Sequence, residues 1–491
     1  MASGSGGDGE IFVVTSIGQG HLFPCMELCK RIASRNYRTT LVIPSNLSSS
    51  VPSSFLQHSL VSLAEIAPAT GMKTLASDAV RQKMGLDLEA HLTRRSMGPD
   101  PHPLLCAVID FQMGWTKEVF RKFSVPVVGF FTFGACAAAM EWGAWKTVAG
   151  NIAPGEVRTI PGLPGMALSL SDLKRRPGGP PPGAEGPKPP GGGGPLKPGD
   201  RPPWVGEIEG SSALIFNTCD GLERPFIEYM ADQLDLPVWG VGPLLPEQYW
   251  KSSDSPIRDR EMRTQKRPSN YSEEEVIQWL DTKPRGSVLY VSFGSELGPT
   301  TEECSEIAAA LEESTRPFIW VIQPDWGRSQ PPGAGRSESE GGYQYHPHGL
   351  EKKVGERGMI ICGWAPQLLI LSHPSTGGFL SHCGWNSTAE AIGQGVPLLA
   401  WPIRGDQYYN AKLVAEHLKI GHMALGDPSG MGKKEDILSG VERMMGDEEV
   451  RQRAAELRAK FIHGFPTSSD AALDAFLGFF RPNASYSQTL N

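Results

Sequence analysis

Gly377-Gly-Phe-Leu-Ser-His-Cys-Gly-Trp-Asn-Ser-Thr-Ala-Glu-Ala-Ile-Gly393 reads as a strand, a tight turn and a helix. Gly377 to Ser381 is a short apolar run suited to a buried strand. His382-Cys383-Gly384 is the turn, and Trp385 to Gly393 carries the helix. A strand feeding directly into a helix points to a parallel α/β sheet. Asn386 and Ser387 then occupy the first helical turn, beside backbone N–H groups that have no partner within the helix. Such an end is a ready-made anion site.

The neighbouring residues extend that reading. His382 adds a donor or a positive charge to the anion site. Glu390 follows Asn386 by four residues, on the same helical face, placed for a diol such as that of a ribose. Trp364 offers a flat surface for a base, and Asp406 and Gln407 bring the acceptors and donors that sugar hydroxyls need. Singly, each also has an ordinary structural use: His382 as a turn residue, Trp364 as a core aromatic, Asn386 as a cap.

The strand–turn–helix pattern recurs along the chain. Ile11-Phe-Val-Val14 is a strand, Gly18-Gln-Gly20-His21 a turn, Leu22 to Arg35 a helix and Thr39 to Ile43 the next strand. Leu104 to Ile109, Trp115 to Phe123 and Val125 to Phe131 repeat it. A second series opens near Ser272, with strands at Gly286 to Phe293, Phe318 to Ile322 and near 358–362, 376–381 and 397–400. Helices at about 432–446, 448–463 and 468–479 end the chain. The expected division is an N-terminal α/β domain over 1–246, a polar linker over 247–271, a second α/β domain over 272–460, and a last helix over 461–480. Of the 27 residues in 177–203, 20 are Pro or Gly, which predicts a mobile surface loop. Two Rossmann-like halves facing a cleft follow from this pattern.

The 491 residues leave room for two or three domains. A net charge of −8 speaks against nucleic acid as a partner. The eight cysteines lie mostly within apolar runs and read as reduced, buried thiols; Cys25 and Cys29 lack a second pair at zinc spacing. No signal peptide and no apolar run of about 18 residues is visible, so the expectation is a cytoplasmic protein without integral membrane association.

Gly18 and Gly20 follow a strand, but Phe23 stands where a dinucleotide fingerprint needs a third glycine, and the second strand ends without an acidic residue. No P-loop occurs either. His21 instead stands at a helix N-terminus, which disfavours imidazolium and helps keep the ring basic. Asp110 ends another strand. If the two strands are neighbours, its carboxylate reaches the ring, giving a base and its orienter.

Taken together, the stretch from Trp364 to Gln407 resembles the donor-binding signature of plant family 1 UDP-dependent glycosyltransferases. Trp364-Ala-Pro-Gln367, His382-Cys-Gly-Trp-Asn-Ser387, Glu390, Gly395-Val-Pro397 and Asp406-Gln407 carry the likeness. Gly20-His21, Asp110, Asn217-Thr218, Trp279-Leu-Asp281 and Tyr290-Val-Ser-Phe-Gly-Ser295 look like landmarks of the same family in the same order. The resemblance implies the GT-B architecture: α/β, two Rossmann-like domains facing an interdomain cleft, the last helix crossing back to the N-terminal domain. It further implies His21 as general base with Asp110 balancing it. Ser295, Trp364, Ala365, Gln367, His382, Asn386, Ser387 and Glu390 would bind UDP. Thr132, Trp385, Asp406 and Gln407 would bind the sugar. The final Gln407 is similar to the pattern of glucose users. Arg404 departs from the family, where many relatives carry an aromatic or small residue.

The implied reaction inverts the anomeric carbon of UDP-glucose, taken as co-substrate, with neither metal nor other cofactor, in a monomer. The acceptor would be a small hydrophobic hydroxylated molecule, a flavonoid or other phenolic, with a terpenoid or steroid as the alternative. Phe111, Trp142 and Trp145 are candidates for its walls, or equally core aromatics. A carbon-linked product, and a relative that binds UDP-sugar without turning it over, are the competing expectations; a nicotinamide enzyme is disfavoured by Phe23.

Overall fold

The computed structural model describes residues 9–67, 78–98, 102–163, 165–175, 197–251, 268–295, 298–323, 347 and 349–481. The Pro/Gly-rich segment therefore lies outside the described residues over 176–196, as does 252–267 of the expected linker.

The apolar runs found in the sequence become strands buried on both faces. In the N-terminal half they are β1 (Glu10–Val14), β2 (Arg38–Pro44), β3 (Val61–Ile66), β4 (Leu104–Asp110) and β5 (Val127–Phe131). A short antiparallel hairpin, β6 (Val157–Thr159) and β7 (Ala167–Ser169), stands apart, and β8 (Ala213–Phe216) and β9 (Val238–Gly240) complete the sheet. Its order is β3-β2-β1-β4-β5-β8-β9, and every pairing is parallel. The second sheet holds β10 (Val288–Ser292), β11 (Phe318–Ile322), β12 (Gly358–Cys362), β13 (Thr376–Ser381), β14 (Leu398–Ala400) and β15 (Gly421–Met423). It is parallel throughout, in the order β12-β11-β10-β13-β14-β15.

Both sheets reverse their winding once. The first runs from β1 outward to β3, then restarts at β4 on the other side of β1. The second runs from β10 to β12, then restarts at β13 beside β10. At such a switch point the loops leaving two neighbouring strands diverge and open a crevice at the strands' carboxyl ends, where open α/β sheets bind ligands. His21 and Asp110 flank the first switch point. Ser292-Phe-Gly-Ser295 and His382-Cys-Gly384 flank the second.

Two segments differ from the sequence reading. The helix after β1 starts at Gln19, because Gly18 alone, at φ 110°, makes the turn. His21 is therefore in the first turn of the helix. Residues 247–251 are polar in composition yet form a helix, and Tyr249 and Trp250 are buried in the hydrophobic core. Aromatic burial outweighs the charged neighbours there. The last helix, Thr467–Phe479, packs on β9 of the first sheet, with Phe476 and Phe479 edge-on to Trp239. Arg35 in the N-terminal half pairs with Asp470 and Asp474 of this helix at 2.7 and 2.6 Å. All eight cysteines are free and buried, and no helix among the described residues is long and apolar enough to cross a membrane.

Candidate active site

β1 and β4 are neighbours, with Val14 opposite Ile109, so the helix that follows β1 and the end of β4 come together. Nδ1 of His21 lies 2.6 Å from Oδ2 of Asp110, which is fully buried. Ser16 donates its backbone N–H to the same oxygen at 3.4 Å, and the Gln112 N–H caps Oδ1 at 3.0 Å. A carboxylate that only accepts fixes the proton of a neutral His21 on Nδ1 and leaves the lone pair on Nε2. The ring keeps 17% of its side-chain surface exposed, so it is both held and reachable. Thr132, at the end of β5, places its hydroxyl 3.2 Å from Nδ1.

Across the crevice, Cys383 takes a left-handed conformation, φ 60°, which few residues other than glycine adopt. Ser381 Oγ accepts the Cys383 N–H at 3.0 Å and holds the bend. The bend starts the helix Trp385–Gln394 after Gly384, with no side chain capping it, so its first N–H groups remain available. Asn386 and Ser387 are in that first turn as expected. His382 is deeply seated, and burial, with Arg404 nearby, lowers it to about 4. Of the two uses expected of His382, a donor or a positive charge, burial therefore favours the neutral donor.

Gln367 knits the cradle together. Its Nε2 donates to Ser387 Oγ at 3.0 Å and to Glu390 Oε2 at 2.7 Å, while its Oε1 accepts from the Tyr290 hydroxyl at 3.1 Å. Glu390 is fully buried. Trp364 and Ala365 are half-buried at the end of β12. Ser295, exposed, lies in the segment after β10. Gln407 turns its carbonyl onto the backbone N–H groups of Ile403 and Arg404 at 2.9 and 3.0 Å, shaping the loop that carries Asp406. Burial raises Asp406, countered by Asn410, which donates to its Oδ2 at 2.7 Å, and by Arg404, with a smaller contribution from His21 when protonated. Asp406 of the second domain thus lies within electrostatic reach of His21 in the first.

Two expectations change. The Trp385 indole is buried and donates to the Asn217 carbonyl at 2.6 Å, so this side chain pins one domain to the other and leaves only its backbone N–H for a ligand. Trp142 is inside the N-terminal core, donating to Gln233 at 3.1 Å and lying against Trp204. Helical spacing turned it inward. Phe111 and Trp145 remain partly exposed. Phe111 stacks on Phe131, and Trp145 meets Trp142 edge-on.

Asn217 was legible only as a sequence landmark, yet its side chain donates to the Thr132 carbonyl and accepts the Leu244 N–H, in addition to its carbonyl's bond with Trp385. Glu223 also went unseen. Its carboxylate accepts two N–H groups at the N-terminus of the helix Ala135–Lys146, both at 2.9 Å, and burial pushes it up to about 7. A polar residue soon after an apolar strand was the one available signal for either. Trp385→Phe keeps the ring but strands a buried carbonyl. It should lower unfolding free energy by about 1–3 kcal/mol, read as an earlier urea midpoint; an unmoved midpoint would show that the bond contributes nothing.

Two parallel α/β domains whose switch points meet, one with a held imidazole and the other with a helix-ended anion cradle, define a GT-B glycosyltransferase. Residues 264–464 match the family described as UDP-glucoronosyl and UDP-glucosyl transferase. UDP-glycosyltransferase 73C5 of Arabidopsis thaliana is 31% identical over 476 residues, 89% of each chain. Mogroside I-E synthase of Siraitia grosvenorii is 28% identical over 463 residues, 92% of each. The crystal structure of TcCGT1 in complex with UDP matches with a TM-score of 0.73 at 25% identity, over 96% of this chain and 99% of that one. The chain belongs to the plant family 1 UDP-glycosyltransferases and is an enzyme of that activity.

Proposed function

We propose that the enzyme transfers glucose from UDP-glucose to a hydroxyl of a small hydrophobic acceptor of the flavonoid or phenolic kind, inverting the anomeric centre. The observation that supports this most is the 2.6 Å pair of His21 and Asp110. Nε2 of His21 takes the acceptor proton as the oxygen attacks, and the carboxylate balances the imidazolium that forms; base catalysis of this kind is worth roughly 10²–10⁴-fold. Trp364 and Ala365 take the uracil, and Gln367 and Glu390 the ribose. The backbone N–H groups of the helix Trp385–Gln394, with Ser295, His382, Asn386 and Ser387, hold the diphosphate. They face the charge that grows as UDP leaves, in a site that excludes water. Thr132, Asp406, Gln407 and the Trp385 backbone hold the sugar, and Phe111 and Trp145 border the acceptor.

Because these donors are built into the chain, EDTA should leave turnover within about twofold of the untreated enzyme. Strong inhibition reversed by a divalent cation would contradict the scheme. A terpenoid acceptor is the second reading, favoured by the similarity to a mogroside synthase. Supplying UDP-glucose with flavonoids, simple phenols, triterpenoids and steroids, and reading products by mass spectrometry, separates the two; fragmentation separates oxygen from carbon linkage. We read the enzyme as a monomer and place it in the cytoplasm, a reducing compartment that the eight free thiols suit.

A further inference from the structure

The proposed chemistry leaves the partly exposed carboxyl of Glu141 unused. Glu141 lies in the helix Ala135–Lys146, which starts three residues after Thr132. From that start it is about 9 Å along the helix axis. Its Oε2 accepts the Trp204 indole N–H at 2.7 Å, and among the described residues no other hydrogen bond reaches the side chain. Glu141 keeps part of its surface exposed, although the carboxyl is surrounded densely enough for burial to push it up to about 7, against the Trp204 bond and Arg175. Contacts locate the residue. Trp204 lies edge-on to Phe131, on which Phe111, a border of the proposed acceptor space, is stacked. The helix Ala135–Lys146 also packs against the helix Gln407–Lys412 that follows Asp406, with Cys136 Sγ 3.8 Å from the Tyr409 carbonyl oxygen.

We propose that Glu141 is a specificity-determining residue for the acceptor, its Oε1 accepting a hydrogen bond from a second hydroxyl remote from the one that His21 deprotonates. The inference rests on reading the crevice as the transferase site. Its physical basis is the cost of mismatch. A carboxyl in a low-dielectric wall loses its hydration when the acceptor enters, and an acceptor without a donor leaves it unpaired. A site built to hydrogen-bond a hydroxyl therefore rejects the analogue that lacks it far more strongly than an apolar wall rejects a methyl group. An acidic acceptor would meet both Glu141 and Asp406 and be repelled.

The test compares a dihydroxyflavone with its two mono-O-methyl ethers, with UDP-glucose as donor. The ether that retains the reacting hydroxyl is the informative one. The wild-type enzyme should favour the dihydroxy acceptor over that ether by roughly tenfold or more in kcat/KM. Glu141→Gln keeps a carbonyl for Trp204 but turns an amide donor toward the crevice. It should cut kcat/KM for the dihydroxy acceptor by about ten- to hundredfold, with the ether within about threefold and KM for UDP-glucose unmoved. Equal losses on both acceptors, or none, would overturn the proposal. If Glu141→Gln fails to fold by circular dichroism, the wild-type ratio decides, and a ratio near one overturns it. No transfer to any of the three by the wild type would instead count against the phenolic acceptor of the proposed function, and would take this inference with it.

Discussion

His21→Ala will lower kcat by at least roughly 10², with UDP affinity unchanged, because the diphosphate cradle is built from residues of the second domain. Asp110→Asn tests the same pair more sharply. Oδ1 of Asp110 accepts the Gln112 N–H, while Oδ2 accepts the Ser16 N–H and faces His21 Nδ1. An asparagine has one accepting oxygen and one donating nitrogen. If the oxygen serves Gln112, the nitrogen faces Nδ1 and drives the imidazole proton to Nε2, the atom that must be bare. If the oxygen serves His21, the amide hydrogens collide with the Gln112 N–H. Either outcome removes the base, and a loss on the order of 10³ or more is expected, by analogy with the buried aspartate of a serine-protease triad. Single-turnover glucose transfer measures it. An Asp110→Asn enzyme within threefold of wild type would show that the carboxylate plays no part in orienting the base.

Gly384→Ala will weaken UDP binding. A Cβ on Gly384 would stand 2.5 Å from Nε2 of His382, and one on Gly294 would stand 2.7 Å from the same atom. The ring is thus wedged between two glycine backbones, one from each loop of the second switch point. Gly294 is further restricted by φ 78°. Any side chain must push the ring into the diphosphate cradle or pull the helix start away from it. Overpacking of a buried site costs about 1–3 kcal/mol, which is roughly 5- to 150-fold in affinity. Titration calorimetry with UDP measures the change, and Gly294→Ala should behave alike. Unchanged affinity in both would place the diphosphate elsewhere.

Much of this was legible before any coordinates. The switch from apolar runs to helical periodicity located most strands, because a parallel strand buried on both faces has to be continuously apolar. The turn at His382-Cys383-Gly384 and the helix behind it were readable for the same reason. The partner of His21 was legible only conditionally, since a strand end can be read from local pattern but the neighbour of a strand cannot. Which of its two uses, donor or positive charge, His382 takes was not readable, because burial is a property of the surroundings. Trp142 and Trp385 show the same limit: an aromatic residue on a helix looks alike in sequence whether it faces a ligand, the core or the other domain.

Local order was decided by the chain itself: two α/β series, a helix start without a side-chain cap, and residue types suited to a base and an anion cradle. Tertiary structure alone decided which strand ends became neighbours, so that Asp110 reached His21 and Gly294 met His382. It also set the approach of the two domains, which spent the Trp385 indole on Asn217. The physical reason is range. Periodicity and capping act over a few residues, whereas pairing, burial and electrostatic coupling join groups that are far apart in the sequence and come within contact distance only when the sheets wind and the domains meet.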